Sequence, residues 1–447
     1  MVRPGQISDT PLRDEAEQIA FFDAAFACAQ KAEAAAGVIA HDIRIGDLQV
    51  RLCFAGPALA DVFMPALAHL ETTSTEAPHA TFHVWESAKT GVTMIKPPFP
   101  RDCVTDRGDI WGFASERIRS AFHWSEYSVN LLDLATNTGI FWVADAAALP
   151  YWSASSPMRT LFHWFLETRE YQLLHAACVG TEAGGVLITG KGGVGKSTTA
   201  LTCLGDGLLY AGDDYVVVRP DPEPVVFSLY ATAKLRHDHS ARFPGLRDLI
   251  VNADVPGDEK AVLELYPARA AALVKSIKLR AVMTPRFGSE AETSFGPIEA
   301  ASLRHAAAFT TMSQLPHAGR DCYDRISRLW GIHLTGVMDL SSKAARRMLV
   351  QAWRMEHCSS LRPVMPRVHI VAALLKRWLD GTHQGGVQHQ HLDYYLDEFT
   401  FRFNRRHSKA RGLLFYRLAQ QAVAVGPAPY PVIIGRNQHV NLPPKRV

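Results

Sequence analysis

The run Gly190-Lys191-Gly192-Gly193-Val194-Gly195-Lys196-Ser197 sets glycines, two lysines and a hydroxyl at the spacing G-x-x-x-x-G-K-S. Those residue types in that order suit one task, holding a chain of phosphates. Glycines let backbone N–H groups turn inward and approach an anion that side chains would keep away. Lys196 offers a point charge for the β- and γ-phosphates, and the Ser197 hydroxyl offers an oxygen for Mg²⁺. Seventeen positions beyond Lys196 stand two adjacent carboxylates, Asp213 and Asp214. Phosphoryl transfer asks a protein for positioning, for charge stabilisation and for one group that accepts a proton. A carboxylate pair beside Mg²⁺ supplies a ligand and a base. The expected nucleotide-binding set is therefore Gly190, Lys191, Gly192, Gly193, Val194, Gly195, Lys196, Ser197 and Thr198, with ATP and Mg²⁺ as the ligands.

Such a loop works only between a strand and a helix, and the flanking residues meet that condition. Val186 to Thr189 is a short apolar, β-branched run that reads as a buried strand. Thr198 to Leu204 continues as a helix that Gly205 and Gly207 can end. Upstream, Leu173 to Val179 reads as a strand with His175 near its start, and Pro157 to Thr168 as an amphipathic helix opened by proline. Downstream, Tyr215 to Val218, Pro224 to Leu229, Ala261 to Leu265 and Ser276 to Met283 read as strands. Ala300 to Phe309 and Asp321 to Leu329 read as helices. Met338 to Leu340 followed by Ser341 to Arg354 reads as a strand and a serine-capped helix. The charged stretch from Pro222 to Gly257 is placed to cover the nucleotide.

The first 156 residues carry no catalytic constellation. They begin with a helix over Asp14 to Ala36. Strands follow at Val38 to Ile45 and Leu48 to Phe54, paired through a turn at Gly46-Asp47. A helix over Pro57 to Leu70 and strands at Ala80 to Trp85, Ser120 to Leu132 and Gly139 to Val143 complete an α+β region. Substrate recognition is assigned to it by elimination.

The chain has 447 residues and a net charge of +3, too small to point to any class of partner. Its length suits two or three domains. No run of eighteen apolar residues predicts a membrane span, and the N-terminus does not read as a secretory signal. Seven cysteines without a C-x-x-C pair predict reduced core thiols and a cytoplasmic protein.

The loop text GKGGVGKSTTA, with Lys191, resembles the variant loop of the ParA/MinD partition ATPases, whose second lysine works across a dimer. Those proteins carry the loop near the N-terminus and their acidic strand much further on. The surroundings resemble HPr-kinase-like proteins, the P-loop kinases related to HPr serine kinase/phosphorylase. The residues that carry this likeness are the His175 strand, the strand from Gly184 to Gly190, the loop, and Leu208 to Asp214. It is close over about 171–218 and looser over about 39–354. It implies that Lys196 binds phosphate, that Ser197 and Asp214 hold Mg²⁺, that Asp213 takes the proton from the hydroxyl being phosphorylated, and that His175 sits beside them. It also makes self-association an expectation. The family's downstream signature, of the kind EIRGLG, is absent. Ser228 to Arg236 stands in its place, so the acceptor stays open among peptide, protein and small-molecule hydroxyls. Lys234 and Arg236 read either as solvated basic residues or as contacts to a phosphate or an acidic substrate.

From Glu356 the character changes: 13 Lys and Arg stand against 5 Asp and Glu up to Val447. Basic and aromatic residues interleave from Tyr394 to Arg406, as in nucleic-acid contacts. Arg367 to Val423 resembles the C-terminal end of a DDE-type insertion-sequence transposase. Glu398 alone cannot hold two metal ions, so strand transfer is excluded. His383, His389 and His391 lack the cysteines or carboxylates of a metal site. The expectation is an α/β P-loop, HPr-kinase-like core over 157–354, an α+β region over 1–156 and a basic, mainly helical appendage over 355–447. The function expected is an ATP- and Mg²⁺-dependent kinase acting on a serine-type hydroxyl. The alternatives are DNA binding through the appendage and a ParA/MinD-like nucleotide switch.

Overall fold

Helix α1 (Glu15–Ala36) begins where the Asp14 carboxylate accepts the Glu17 N–H at 2.7 Å, and it ends at Gly37, whose φ of 80° suits glycine. The computed structural model describes residues 13–221, 223–255, 260–286, 294–329 and 332–337. Strands β1 (Val38–Ile45) and β2 (Leu48–Ala55) form the hairpin read from the sequence, Ile45 facing Leu48 across Gly46-Asp47. Helix α2 (Pro57–Leu67) and strands β3 (Ala80–Glu86), β4 (Ile118–His123), β5 (Ser128–Asp133) and β6 (Thr138–Val143) complete a mixed six-stranded sheet, ordered β1-β2-β3-β6-β5-β4. The apolar face of α1 (Phe21, Phe22, Ala25, Ala29, Ala32) packs on Trp85, Ile140 and Trp142.

The opposite face of that sheet shares its core with the rest of the described chain. Phe82 meets Phe162 and Phe165 of α3 (Arg159–Glu167) at ring-centroid distances of 5.3 and 6.3 Å. Beyond α3 come β7 (Gln172–Leu174), β8 (Ala177–Thr181), β9 (Gly184–Ile188), α4 (Lys196–Gly205), β10 (Leu209–Gly212), β11 (Val216–Arg219) and β12 (Val225–Phe227). A hairpin of β13 (Thr232–Leu235) and β14 (Ala261–Glu264) follows, then β15 (Ser276–Arg286), β16 (Ser294–Pro297), α5 (Ala300–Met312), α6 (Arg320–Ser327) and β17 (Ile332–Val337). The second sheet runs β10-β8-β9-β15-β12-β11-β7, with β17 also on β15 and β16 on β17. Strand β9 lies parallel to β15, Val186 opposite Ala281 and Ile188 opposite Met283. The glycine-rich loop thus leaves the carboxyl end of an interior strand, where open α/β sheets bind ligands.

Three readings change. Leu173 to Val179 is two strands broken at His175-Ala176: β7 pairs with β11, and β8 with β9 and β10. The proline-opened helix starts later, at Arg159, after Met158 in a left-handed conformation. Strands β16 and β17 were not read from the sequence. The segments Met338–Leu340 and Ser341–Arg354 and the whole basic appendage lie outside the described residues. Among the described residues, the six cysteines are buried and none is joined in a disulfide, and no helix is long and apolar enough to cross a membrane.

Candidate active site

The loop is built by backbone strain that only glycine accepts. Gly190 has φ 135°, and a Cβ there would stand 2.7 Å from Thr284 Oγ1 on the neighbouring strand β15. Gly193 and Gly195 have φ of 80° and 101°, and around them a Cβ would meet nothing, so the open side of the loop is glycine backbone. Helix α4 begins at Lys196 and turns its positive end to the same side. The Lys196 ammonium is 7% exposed and donates to the carbonyls of Gly190 at 2.9 Å and Lys191 at 3.3 Å. Burial pulls its pKa below the ordinary lysine value, while Asp213 and Asp214 push the other way.

Strand β10 ends at Gly212 and delivers the two carboxylates, which point to different partners. Asp213 is 1% exposed; one oxygen accepts the Ser197 hydroxyl at 3.1 Å and the other the Lys234 backbone N–H at 3.3 Å. Burial and the charge of Asp214 raise its pKa. Asp214 takes φ 65°, a left-handed conformation that aspartate tolerates, and its side chain is 17% exposed. Its Oδ2 accepts Lys234 Nζ at 2.6 Å and Ser156 Oγ at 3.3 Å, and its Oδ1 lies 3.5 Å from His175 Nε2. Burial alone would raise its pKa, but the Lys234 ammonium and His175 outweigh that and hold the carboxyl well below the usual range.

The strand break aims His175 at Asp214, and the end of α5 fixes its ring. Gln314 Nε2 donates to Thr310 O and to His175 Nδ1, both at 2.9 Å, while its Oε1 accepts the Tyr215 hydroxyl at 2.6 Å. An amide nitrogen only donates, so Nδ1 is the acceptor and the ring proton sits on Nε2, toward Asp214. Thr311 Oγ1 accepts the His175 backbone N–H at 3.0 Å.

His175, Lys196, Ser197, Asp213 and Asp214 thus share one cavity of about 320 Å³, walled also by Gly192 to Thr198, Lys234, Arg236, His239, Arg242 and Lys260. Its donors fit a nucleotide triphosphate with Mg²⁺: backbone N–H groups and a buried ammonium for phosphate, and a hydroxyl–carboxylate pair for the metal. The family likeness implies Ser197 and Asp214 as the Mg²⁺ ligands; in the structure the Ser197 hydroxyl donates to Asp213. Lys191 is exposed, and only its carbonyl takes part, as an acceptor for Lys196. Lys234, read as solvated or as a substrate contact, is 6% exposed and bound to Asp214, Ser156 Oγ and Trp152 O. Arg236 is the exposed one and pairs with Asp238 at 2.8 Å. Ser156 and Gln314 carried no signal, being ordinary polar residues distant in sequence. Lys234 stood visible as the charged residue of an otherwise apolar strand, Thr-Ala-Lys-Leu.

The chain is 33% identical over 128 residues to the HPr kinase/phosphorylase of Pelodictyon phaeoclathratiforme. The chain is similar to HPr kinase/phosphorylase. The matched stretch is 28% of this chain and spans 36% of that relative. Among solved structures, the Hpr(Ser) kinase/phosphatase from Coxiella burnetii matches with 12% identity and a TM-score of 0.24, over 41% of this chain and 97% of that one. Separately, residues 344–404 match the ISXO2-like transposase domain, beginning before and ending short of the stretch read as transposase-like from the sequence. The likeness to HPr kinase/phosphorylase and the likeness to a transposase therefore both stand, each on a part of the chain.

Proposed function

We propose that the chain is an ATP-dependent kinase that transfers a phosphoryl group to a hydroxyl of a peptide, a protein or a small molecule. The observation that carries this reading is the convergence of Lys196, Ser197, Asp213, Asp214 and His175 on one cavity. The backbone of Gly192 to Gly195 and the start of α4 cradle the phosphates, and Lys196 neutralises charge as it builds on the transferring group. Ser197 and Asp213 would hold Mg²⁺, which supplies further charge neutralisation on the phosphate oxygens. Asp214 is the base. It is the more exposed carboxylate, so an incoming hydroxyl can reach it, and Lys234 and His175 keep it ionised. Held at a low pKa it is a weak base, which orients the hydroxyl and takes its proton late, as the loose transition state of phosphoryl transfer allows. His175 has both ring nitrogens engaged and acts by orienting Asp214. These roles exchange the two aspartates relative to the sequence reading, on the strength of the Ser197–Asp213 contact.

The test is transfer from γ-labelled ATP to candidate hydroxyl acceptors. Lys196→Ala should lower kcat/KM by roughly a hundred- to a thousandfold, the effect of deleting one preorganised charge donor, about 3–4 kcal/mol. Equal transfer by the variant and the natural chain would sink the proposal.

A further inference from the structure

Far from the phosphate cradle in sequence, the N-terminal sheet gathers three donors of different kinds. Cys53 of β2 and His83 of β3 face each other in the parallel register of the two strands, so their side chains leave the same face side by side. Helix α1 covers that face, and its last turn brings Glu33 onto them, with Glu33 Oε1 2.6 Å from His83 Nδ1. One ligand atom from each of the three lies within 4.8 Å of the other two. The Phe26 ring packs on the His83 ring, centroids 5.0 Å apart and planes at 77°. Glu33 and His83 keep side-chain exposures of 16% and 15%, which leaves a narrow path from solvent.

We propose that Glu33, Cys53 and His83 form a binding site for one Zn²⁺ ion, with a fourth position left for water. The donor set is one carboxylate oxygen, one thiolate and one imidazole nitrogen, the mixture that suits zinc and not Mg²⁺ or Ca²⁺. In a zinc tetrahedron such donors stand roughly 3.3–3.8 Å apart. The His83–Glu33 contact has to open by about 0.7 Å, and no spacing, all being within 4.8 Å, has to close by more than about 1.5 Å, both within side-chain rotation. All three donors sit on regular elements, two neighbouring strands and the helix packed over them, so their separation is fixed by the core. Binding releases the Cys53 thiol proton to solvent, while the His83 ring carries its proton on Nε2 so that Nδ1 can ligate. Glutamate–histidine pairing accounts for one contact; it gives no reason for a thiol to complete the triangle.

The experiment uses the reduced full-length chain, stripped with chelator and titrated with Co²⁺ as the optical probe, followed by Zn²⁺. The expected result is a thiolate-to-cobalt charge-transfer band that saturates at one equivalent and is bleached by Zn²⁺. Reading only that band separates this site from carboxylates and histidines elsewhere in the chain. C53A should abolish it, and H83Q should weaken the apparent affinity at least tenfold. Absence of the band in the natural chain, or a band of unchanged strength in folded C53A, overturns the site. Should C53A fail to fold, H83Q at the rim decides: natural Co²⁺ affinity in that variant overturns it equally.

Discussion

Gln314 illustrates how a residue without chemistry of its own decides what its neighbours do. Its amide bridges Tyr215 and His175, and by donating to Nδ1 it selects the imidazole tautomer that turns a proton toward Asp214. Replacing it with leucine keeps the volume and removes all three hydrogen bonds of the amide, those to Tyr215, His175 and Thr310 O. Gln314→Leu should lower kcat for phosphoryl transfer about tenfold to a hundredfold while leaving the KM for ATP within about twofold, because misorientation of a base costs rate and not nucleotide binding. Gln314→Asn, with the same amide on a shorter stem, should recover part of the loss. A parallel rise in the ATP KM would show instead that Gln314 merely supports the cavity wall. Tyr215→Phe removes one bond of the relay and should produce the smaller effect of the two.

At the scale of elements, strand β13 carries the ion pair on which the proposed base depends. Lys234 Nζ and Asp214 are both largely buried, so removing one leaves the other charged and unpaired in a poorly solvated place. Lys234→Met should cost about 3 kcal/mol of stability. The double variant Lys234→Met/Asp214→Asn should cost clearly less than the two single losses added together. Denaturant melts of the four proteins measure this, and strict additivity would mean the pair is not coupled. The elements themselves were largely legible. β-Branched runs such as Val216-Val217-Val218 and Val186-Leu187-Ile188 can only be buried strands in such a chain, and the loop between β9 and α4 follows from its glycines. Partnership across the fold was not legible. The break that aims His175 comes from β7 and β8 pairing with different neighbours, and the burial of Lys234 depends on Asp214 and on the carbonyl of Trp152, 82 positions away. Local sequence shows a charged residue in a strand but not whether a counter-charge awaits it.

Across the whole described molecule, the two halves are joined by polar contacts that include one half-buried histidine, His69, and one buried one, His123. His69 Nε2 lies 2.7 Å from Ser228 Oγ, and His123 Nε2 lies 3.0 Å from Thr160 Oγ1. His163, within α3, is wholly buried. Burial lowers the pKa of His69 and His123 to about 4 and that of His163 to about 3. An unfolded histidine titrates near pH 6.5, so between there and pH 4 the unfolded chain takes up protons that the folded chain refuses. The contribution of these residues is complete above about pH 6.5 and is lost as pH falls through the window. Each should cost about 2 kcal/mol by pH 5. His163 offers the clean test: neither ring nitrogen has a hydrogen-bond partner, and Glu167, whose Oε2 lies 3.7 Å from Nε2, keeps its ion pair with Arg325 when leucine takes the histidine's place. His163→Leu should therefore leave stability near pH 7.5 little changed and make the acid side shallower by about one proton's worth, about 1.4 kcal/mol per pH unit. Urea melts at pH 7.5, 6 and 5 give that slope directly. Identical slopes for the variant and the natural chain would mean that His163 takes up its proton in the folded state as readily as in the unfolded one, and the acid sensitivity would then belong to the junction contacts of His69 and His123.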